Sequence, residues 1–340
     1  MNNTDPSHRK AIIGNPEGSF WLYDSTTGFD LTHPPTPTSS SPTPNYTFET
    51  TTLPITIASS KSALVIIDMQ NFFLSPALGR PADSKGLVAQ QQLLKHAIPA
   101  ARKAGIRIIW LNWGLTDAEV LSMPPSTIRA FGFETVLASQ FTSYARVSAE
   151  QKSAAIDSHG VNEGCHTFPG PDAQIETSGK NPRIYKGLGT DIGPVHLDDN
   201  NTTTTTTTTV PGGRLLMRDT WNADLTPELR AAYEEGLQAS PADVWIHKNR
   251  MSGLWGASTP CTEFLESEGI TTLLFAGVNT DQCVGGSLQD AFTKGYDVIL
   301  LSDGAGTTSP DSSQESIEFN CAKTWGFCMS CKNFAEGVGL

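Results

Sequence analysis

Apolar runs that end in polar residues recur along this chain of 340 residues. Three of them are SALVIIDMQ (62–70), ITTLLFAGV (270–278) and YDVILLSDG (296–304). Such runs, which contain β-branched side chains, are typical of strands that are buried on both faces of a sheet. Helical stretches stand between them, and strands that alternate with helices indicate a parallel sheet with helices on both faces. The sequence therefore predicts an α/β, Rossmann-like fold.

The other predicted elements continue this alternation. Helices are predicted at about 85–104, from Thr226, at 259–268, at about 281–294 and near 311–323, with further strands at 106–113, at 242–248 and, at the edge, within WGFCMSC (325–331). In sheets of this kind, ligands bind at the carboxyl ends of the strands, near the point where the strand order reverses. Candidate functional residues are therefore expected at strand ends.

The folded body is predicted to be a single domain that spans residues 61–335, preceded by an N-terminal tail (1–60) that is largely extended. The stretch 34–52 is too rich in Pro, Ser and Thr for a packed core. The aromatic segment FWLYDSTTGFDL (20–31) is an exception within this tail. It either docks on the body or a neighbouring subunit, or it exposes scattered surface aromatics.

A second atypical region, residues 115–222, is predicted to be a lid or insertion that selects the substrate. It contains the polar stretch 198–213 with its threonine repeat, which is predicted to be a loop without a catalytic role. Such an insertion is tolerated because the entropy of loop closure grows only slowly with length.

The composition narrows the choice of partners and compartment. Thirty-five acidic residues outnumber 23 basic ones, for a net charge of −12, which disfavours nucleic acid and anionic membranes as partners. No apolar run of about 18 residues predicts a membrane span, and the first residues lack the apolar core of a secretory signal. We therefore expect a cytoplasmic protein that binds a small molecule or another protein, in which the six cysteines do not form a disulfide framework.

Three chemically distinct side chains follow predicted strands: Asp68, Lys248 and Cys283. Because the carboxyl ends of parallel strands share one edge, we expect an acid, a base and a thiol to converge there. Each also has a structural alternative. The acid could cap a helix, the lysine could be a solvated charge, and the cysteine could be a small buried hydrophobe.

The thiol of Cys283 is the predicted nucleophile. With Thr280 as the cap of the next helix, the cysteine would lie in its first turn, where the helix dipole and the Lys248 ammonium favour a thiolate. Asp68 could accept the thiol proton and later deliver it to a leaving amine. The backbone N–H groups of Asn279 and Cys283 could bind an oxyanion.

Other residues at the same rim are weaker candidates. Gln70 and Asn112 could orient an amide or ureido group, and each of several tryptophans either walls the pocket or simply packs in the core; these are Trp110, Trp113, Trp221 and Trp255. His247 precedes Lys248 on a strand and should face the other way, so we expect a structural role. Cys328 and Cys331 have CxxC spacing, but buried thiols are favoured over a zinc site.

At these residues the chain resembles the isochorismatase-like cysteine hydrolases. The resemblance rests on LVIIDMQNFF around Asp68, on the block WIHKNRMSGLWGASTPCTEFLESEGITTLLFAGVNTDQCV, and on DAFTKGYDVILLSDGAGT, and it covers roughly residues 61–114 and 214–330. It implies that Asp68, Lys248 and Cys283 form a catalytic triad. It also implies a homo-oligomer and a cis peptide between Val278 and Asn279.

Departures from family patterns refine the expected reaction. Nicotinamidases of the family carry an Asp-Trp-His metal cluster after the second strand, whereas this chain reads WLNWGLTD there, so neither a metal nor another cofactor is expected. The segment LNWG (111–114) is similar to that of ureidoacrylate and biuret type amidohydrolases. The cysteine favours hydrolysis of a C–N bond in a small amide, ureide or carbamoyl compound through a thioester. The alternatives are an enol ether hydrolase of the isochorismatase type and a catalytically weak interaction protein.

Overall fold

The computed structural model describes residues 7–141, 153–160, 163–164, 184–199 and 206–340. The strands are β1 (Lys10–Gly14), β2 (Phe20–Asp24), β3 (Gly28–Asp30), β4 (Asn45–Phe48), β5 (Ile55–Ala58), β6 (Ser62–Ile67), β7 (Arg107–Trp113), β8 (Phe133–Val136), β9 (Ser153–Ile156), β10 (Glu163–Gly164), β11 (Pro194–Asp199), β12 (Thr206–Pro211), β13 (Val244–Lys248), β14 (Thr272–Val278), β15 (Asp297–Gly306) and β16 (Phe327–Met329). The helices are α1 (Asn71–Leu74), α2 (Lys85–Gln92), α3 (Ile98–Ala104), α4 (Asp117–Leu121), α5 (Pro125–Ala130), α6 (Pro227–Gly236), α7 (Pro260–Ser267), α8 (Gly285–Lys294), α9 (Asp311–Asn320) and α10 (Cys331–Gly337).

A parallel sheet forms the centre of the protein, which confirms the predicted α/β fold class. Across the described residues its order is β13-β7-β6-β14-β15-β16, and neighbouring strands pair in parallel. The chain runs outward in one direction from β6 and in the other direction from β14, so the strand order reverses between these two strands. A parallel α/β sheet binds its ligands at such a switch point. Asp68 and Asn279 directly follow the two strands that flank it.

Both faces of the sheet are covered by helices because successive residues of each strand point to opposite sides. On β6, Leu64 and Ile66 belong to a core cluster with α2, α3, α6 and α10, while Ala63, Val65 and Ile67 belong to a second cluster with α7 and α8. The predicted helix 85–104 is interrupted by a π-helical turn before α3. Pro99 accounts for the interruption, since proline has no N–H to donate to the preceding turn.

The N-terminal region is folded, which differs from the extended tail that its composition predicts. In its described part, five strands form a separate sheet of order β1-β2-β3-β5-β4. Phe48 is fully buried in the first core cluster although it lies within the Pro, Ser and Thr-rich stretch 34–52. Trp21 and Phe29 pack on Phe327 of the central sheet, with ring centroids 5.8 and 5.5 Å apart. A few apolar side chains at alternate positions are therefore sufficient to dock this segment on the body.

Asp297, the first residue of β15, makes three hydrogen bonds, two of which join the N-terminal region to the central sheet. Its carboxylate accepts from Trp21 Nε1 at 2.7 Å, from His33 Nε2 at 2.6 Å and from Thr272 Oγ1 at 2.8 Å. We expect Asp297→Asn to lower the free energy of unfolding by about 2–4 kcal/mol, because an amide NH₂ cannot accept where a carboxylate oxygen did. Denaturant unfolding measures the loss, and hydrogen exchange in β2 should accelerate. The exposed Asp83→Asn is the control, and equal unfolding curves for the two variants would contradict this role.

The region 115–222 contains two small antiparallel pieces in its described part. Strands β8, β9 and β10 pair in one, and β11 pairs with β12 in the other. Half of the threonine repeat therefore lies in a strand, Thr206–Pro211, which differs from the predicted loop, since β-branched threonine suits an extended ladder. A third core cluster, which includes Leu115, Leu188 and Trp113, packs this region on the carboxyl edge of the sheet. Its role as a lid stays a prediction.

Among the described helices, none is long and apolar enough to cross a membrane.

Candidate active site

Asp68 is the residue that leaves strand β6 at the switch point. It is completely buried and has a positive φ of 53°, a conformation that is uncommon for a residue other than glycine. One carboxylate oxygen, Oδ1, accepts from the Trp113 backbone N–H at 3.0 Å. The other, Oδ2, lies 2.9 Å from Lys248 Nζ. The carboxylate is thus held between the ends of β7 and β13.

Lys248 ends strand β13 and is also buried. Besides Asp68, its Nζ donates to the backbone carbonyls of Arg250 at 3.1 Å and Met251 at 3.2 Å. These three acceptors match the three donors of an ammonium group. The Trp113 ring lies beneath the Nζ at 4.1 Å from its centroid, which is close enough for a cation–π interaction. The lysine is therefore fixed beside the carboxylate.

Cys283 brings its thiol to the same point. Its side chain is in hydrogen-bonding contact with the Asp68 carboxylate and close to the Lys248 ammonium. Burial raises the pKa of the Cys283 thiol to about 12, and the lowering effect of Lys248 does not offset this. The expected resting thiolate is therefore wrong for this geometry. Burial also raises the pKa of Asp68, although Lys248 opposes that shift. The resting pair is a thiol beside a carboxylate of raised basicity.

The turn that carries Cys283 begins one residue earlier than expected. Asn279, with extended backbone angles, is the N-cap, and residues 280–284 form a π-helical turn before α8. The Asn279 carbonyl accepts from the N–H groups of Gln282 at 3.0 Å and Val284 at 3.1 Å. Cys283 is thus the fourth residue of the turn. The peptide bond between Val278 and Asn279 is cis.

Gly277 allows β14 to approach β6 closely just before this turn. It has φ +113°, and a Cβ at this position would lie 2.1 Å from the Ile67 carbonyl oxygen. Only glycine tolerates both the positive φ and the close backbone contact. Because Ile67 precedes Asp68 and Gly277 precedes Val278, this contact helps to set the distance between the carboxylate and the turn that carries the thiol.

Gln70 has a different role from the expected substrate contact. Its Nε2 donates to the backbone carbonyls of Trp113 at 2.7 Å and Ala223 at 2.5 Å, and its Oε1 accepts from the Trp113 N–H at 3.2 Å. Both amide hydrogens are therefore used by the protein backbone. Gln70 positions Trp113, the residue that bonds Asp68 and supports Lys248.

Asn112 and Trp113 lie on opposite faces of β7, since neighbouring strand residues alternate. Trp113 faces the triad, and Asn112 shares its face with Trp110 of the first core cluster. The Asn112 side chain is fully buried, and neither amide atom has a hydrogen-bond partner among the described residues. The structure therefore does not bring Asn112 to the triad together with Trp113.

The remaining candidates make contacts with residues other than Asp68, Lys248 and Cys283. Trp255 is 51% exposed, bonds Asn249 through Nε1 at 3.2 Å and stacks under the Arg250 guanidinium at 4.9 Å. Trp221 is half-buried against the third core cluster. His247 accepts from Trp245 Nε1 at 3.3 Å and lies beside Gly114, where burial lowers its pKa. Roles for both tryptophans in the pocket stay predictions.

The CxxC cysteines are buried, as their spacing at an edge strand led us to expect. Cys328 Sγ donates to the Glu318 carbonyl at 3.4 Å, and the Cys331 backbone N–H donates to Asp303 Oδ1 at 2.6 Å. Cys328 also contacts the thiol of Cys321. They lie beside β16, away from the three triad residues.

The indole of Trp113 also lies close to the Cys283 thiol. Its buried Nε1 has no hydrogen-bond partner among the described residues, and as a donor beside the Cys283 side chain it lowers the pKa of that thiol. Trp113→Phe keeps a ring under Lys248 but removes this donor. We expect the rate of Cys283 alkylation by iodoacetamide to fall about fivefold at a given pH below the thiol pKa, because a hydrogen bond to the thiolate is worth about 1 kcal/mol.

Trp110→Phe is the matched control for this measurement, because it also removes a buried indole donor. Trp110 Nε1 bonds Asp243 Oδ2 at 2.9 Å on the other face of β7. Peptide mass analysis identifies the alkylated cysteine. If both variants react at the wild-type rate, Trp113 does not tune the thiol.

Comparisons with known proteins show what this chain is similar to. Residues 193–321 match the family model described as the isochorismatase domain. The ureidoacrylate amidohydrolase RutB of Enterobacter sp. (strain 638) is 26% identical over 298 residues, covering 85% of this chain and 96% of that protein. The RutB of Rhizobium rhizogenes is 24% identical over 291 residues, with 84% and 86% covered. A solved isochorismatase family protein from Desulfovibrio vulgaris aligns over 82% of this chain and 99% of its own, with a TM-score of 0.46 and 17% identity.

Proposed function

We propose that this chain belongs to the isochorismatase-like family and is a cysteine hydrolase that cleaves a C–N bond of a small amide, ureide or carbamoyl compound. The observation that carries the proposal is the convergence of the Cys283 thiol, the Asp68 carboxylate and the Lys248 ammonium in a buried site. A nucleophile, a general base and a fixed positive charge are the parts that acyl transfer through a thioester requires.

In the first step the Cys283 sulfur attacks the substrate carbonyl carbon while Asp68 takes the thiol proton. Because burial raises the pKa of both groups, ionisation of the thiol is coupled to attack and does not precede it. Lys248 keeps the net charge of the site low as negative charge moves from Asp68 to the sulfur and then to the carbonyl oxygen. Asp68 next gives the proton to the leaving nitrogen, the C–N bond breaks, and a thioester remains.

In the second step water attacks the thioester carbonyl, and Asp68 accepts a proton from it. The C–S bond breaks, the carboxylic or carbamic acid leaves, and the proton returns to the Cys283 sulfur. The same carboxylate therefore acts as base and acid in alternation, as a single buried group between nucleophile and leaving group can.

The backbone N–H groups of Asn279 and Cys283 are the proposed oxyanion donors. In a regular α-helix the Cys283 N–H would bond the Asn279 carbonyl, but the N–H groups of Gln282 and Val284 bond that oxygen here. This supports an N–H of Cys283 directed toward the substrate. Donors already in place before charge develops stabilise an oxyanion without reorganisation.

The two RutB relatives support the C–N class, since their names give ureidoacrylate amidohydrolase as their activity. A small-molecule substrate is part of the same proposal, since ureidoacrylate, the compound in the names of these relatives, is a small molecule. Hydrolysis of an enol ether, the first alternative, makes no use of a thiol in contact with a carboxylate. A homo-oligomer, a cytoplasmic location and substrate selection by residues 115–222 complete the proposal.

Ammonia release from a panel of small amides and ureides tests this function. A substrate of the proposed class should also leave an acyl adduct on Cys283 when the reaction is quenched and intact and peptide masses are measured. Turnover of isochorismate, with no release from any panel compound, would replace the amidohydrolase with the ether hydrolase. No turnover of either would favour an interaction protein.

A further inference from the structure

Arg80 is a buried arginine for which the described residues supply no carboxylate. It follows the short turn Pro76–Leu78, and only 9% of the residue is exposed. Its NH2 group donates to the Phe72 carbonyl at 3.3 Å, and its Nε has no hydrogen-bond partner. The ionisable neighbour that acts on it is the phenol of Tyr185, not an acid. The positive charge is thus left without compensation from these residues.

Such a charge needs an explanation because burial of an unpaired ion is unfavourable. Burial lowers the pKa of Arg80, but a guanidinium keeps its proton in proteins. Its planar fork carries five N–H donors, of which the described residues engage one. A carboxylate would fit that fork through two parallel hydrogen bonds.

The position of Arg80 relates it to the triad. Its guanidinium carbon lies 5.9 Å from the centroid of the Phe72 ring, and Phe72 is 6.2 Å from Phe131. Phe131 in turn is 5.2 Å from the Trp113 ring that supports Lys248. Phe72 and Trp113 belong to the same apolar core cluster. The side chains that connect the two cations are therefore aromatic, and aromatic side chains commonly line the apolar part of a ligand site between its polar groups.

We propose that Arg80 binds a carboxylate of the substrate, so that the site takes a small molecule with an anionic group at one end and the scissile C–N bond at the other. The hydrolytic reaction in this inference rests on the proposed function. The anionic group of the substrate rests on the buried charge of Arg80 alone. It narrows the substrate class from amides and ureides in general to amido or ureido carboxylic acids.

The test compares ureido carboxylic acids of increasing chain length with methyl ketones of the same shape, which lack the charge. We expect wild type to prefer the best acid by about 100-fold in kcat/KM, mainly through KM, because a buried charge is left unpaired by the ketone. Arg80→Gln should bring the ratio of acid to ketone close to one. Arg80→Lys, which keeps the charge without the fork, should give an intermediate ratio. The control Arg9→Gln, which replaces an exposed arginine, should keep the wild-type ratio of acid to ketone.

The outcomes separate this inference from the proposed function. An equal loss for acid and ketone in Arg80→Gln would make Arg80 a structural residue and overturn the proposal. If that variant does not fold, the wild-type pair decides, and equal kcat/KM values overturn it. If wild type hydrolyses only neutral amides or ureides of the panel, the role of Arg80 is overturned and the proposed reaction stands. If it hydrolyses no compound at all, the proposed reaction fails. Calorimetric binding of both compounds to wild type and Arg80→Lys then tests Arg80 alone, with equal affinities for acid and ketone in wild type counting against it.

Discussion

Cys283→Ala is expected to lower kcat for the amide or ureide substrate by about 10⁴-fold or more, because only binding and oxyanion stabilisation remain without the nucleophile. Of the three side chains, the thiol of Cys283 gives the strongest nucleophile toward carbon, and it contacts the carboxylate that would activate it. The acyl adduct should disappear with the activity. Steady-state ammonia release and intact mass, measured on the same preparation, check both effects.

Cys261→Ala is the matched control for this substitution. Cys261 is also buried, in α7, and burial raises the pKa of its thiol to about 12 as it does for Cys283. The two variants therefore remove thiols of similar burial, but only one lies beside Asp68 and Lys248. We expect Cys261→Ala to keep kcat and to lose about 1–2 kcal/mol of stability. Full activity in Cys283→Ala would exclude the thioester route.

Lys248→Met is expected to lower kcat by about 10²–10³-fold and to destabilise the protein by about 3–5 kcal/mol at neutral pH, because it leaves the Asp68 carboxylate buried without its cation. Burial already raises the pKa of Asp68, and Lys248 is the largest influence that opposes this. The variant should therefore show a further rise, seen as a shift of the acid limb of the kcat/KM profile to higher pH.

The sign of the pH dependence follows from the direction of this shift. An acid whose pKa is raised on folding binds its proton more tightly in the native state. Its contribution to stability is therefore complete below the unfolded pKa of 3.8 and is lost as pH rises through the folded pKa. The stability difference between wild type and Lys248→Met should accordingly be smallest at acid pH and should grow as pH rises. Urea unfolding at several pH values measures it.

A double variant, Asp68→Asn with Lys248→Met, separates the loss of the cation from the burial of an unpaired anion. Neutralising both partners removes the uncompensated charge, so the double variant should be more stable than Lys248→Met alone. If the single variant is as stable as wild type at every pH, the ion pair is not what keeps Asp68 ionised.

The N-terminal region shows where composition is a poor guide. Counting Pro, Ser and Thr in 34–52 predicts no packed core, yet Phe48 is buried there and Trp21 bonds Asp297 on the central sheet. Strand formation depends on a few alternate apolar residues that meet a partner surface, and composition averages over them. The partner is far along the chain, so no local window contains both sides.

In the candidate site, too, some properties could be predicted from the sequence and others could not. Asp68, Lys248 and Cys283 could be predicted because each follows a strong apolar run, and parallel strands bring such ends to one edge. The protonated state of the Cys283 thiol could not be predicted. Its raised pKa comes from burial, which outweighs the lowering effects expected from the helix terminus and from Lys248. Gln70 carries the right chemistry for a substrate contact, but its amide is used by the backbone of Trp113 and Ala223.

The sequence by itself determined the α/β class, the strand ends and the three residues at them, because hydrophobic periodicity and helix boundaries are local properties of the chain. Only the tertiary structure decided that Trp113 supports Lys248 and bonds Asp68, that burial favours the protonated thiol of Cys283, and that Arg80 is buried with no carboxylate beside it among the described residues. These depend on desolvation and on contacts between residues distant in sequence, which exist only once the chain has folded.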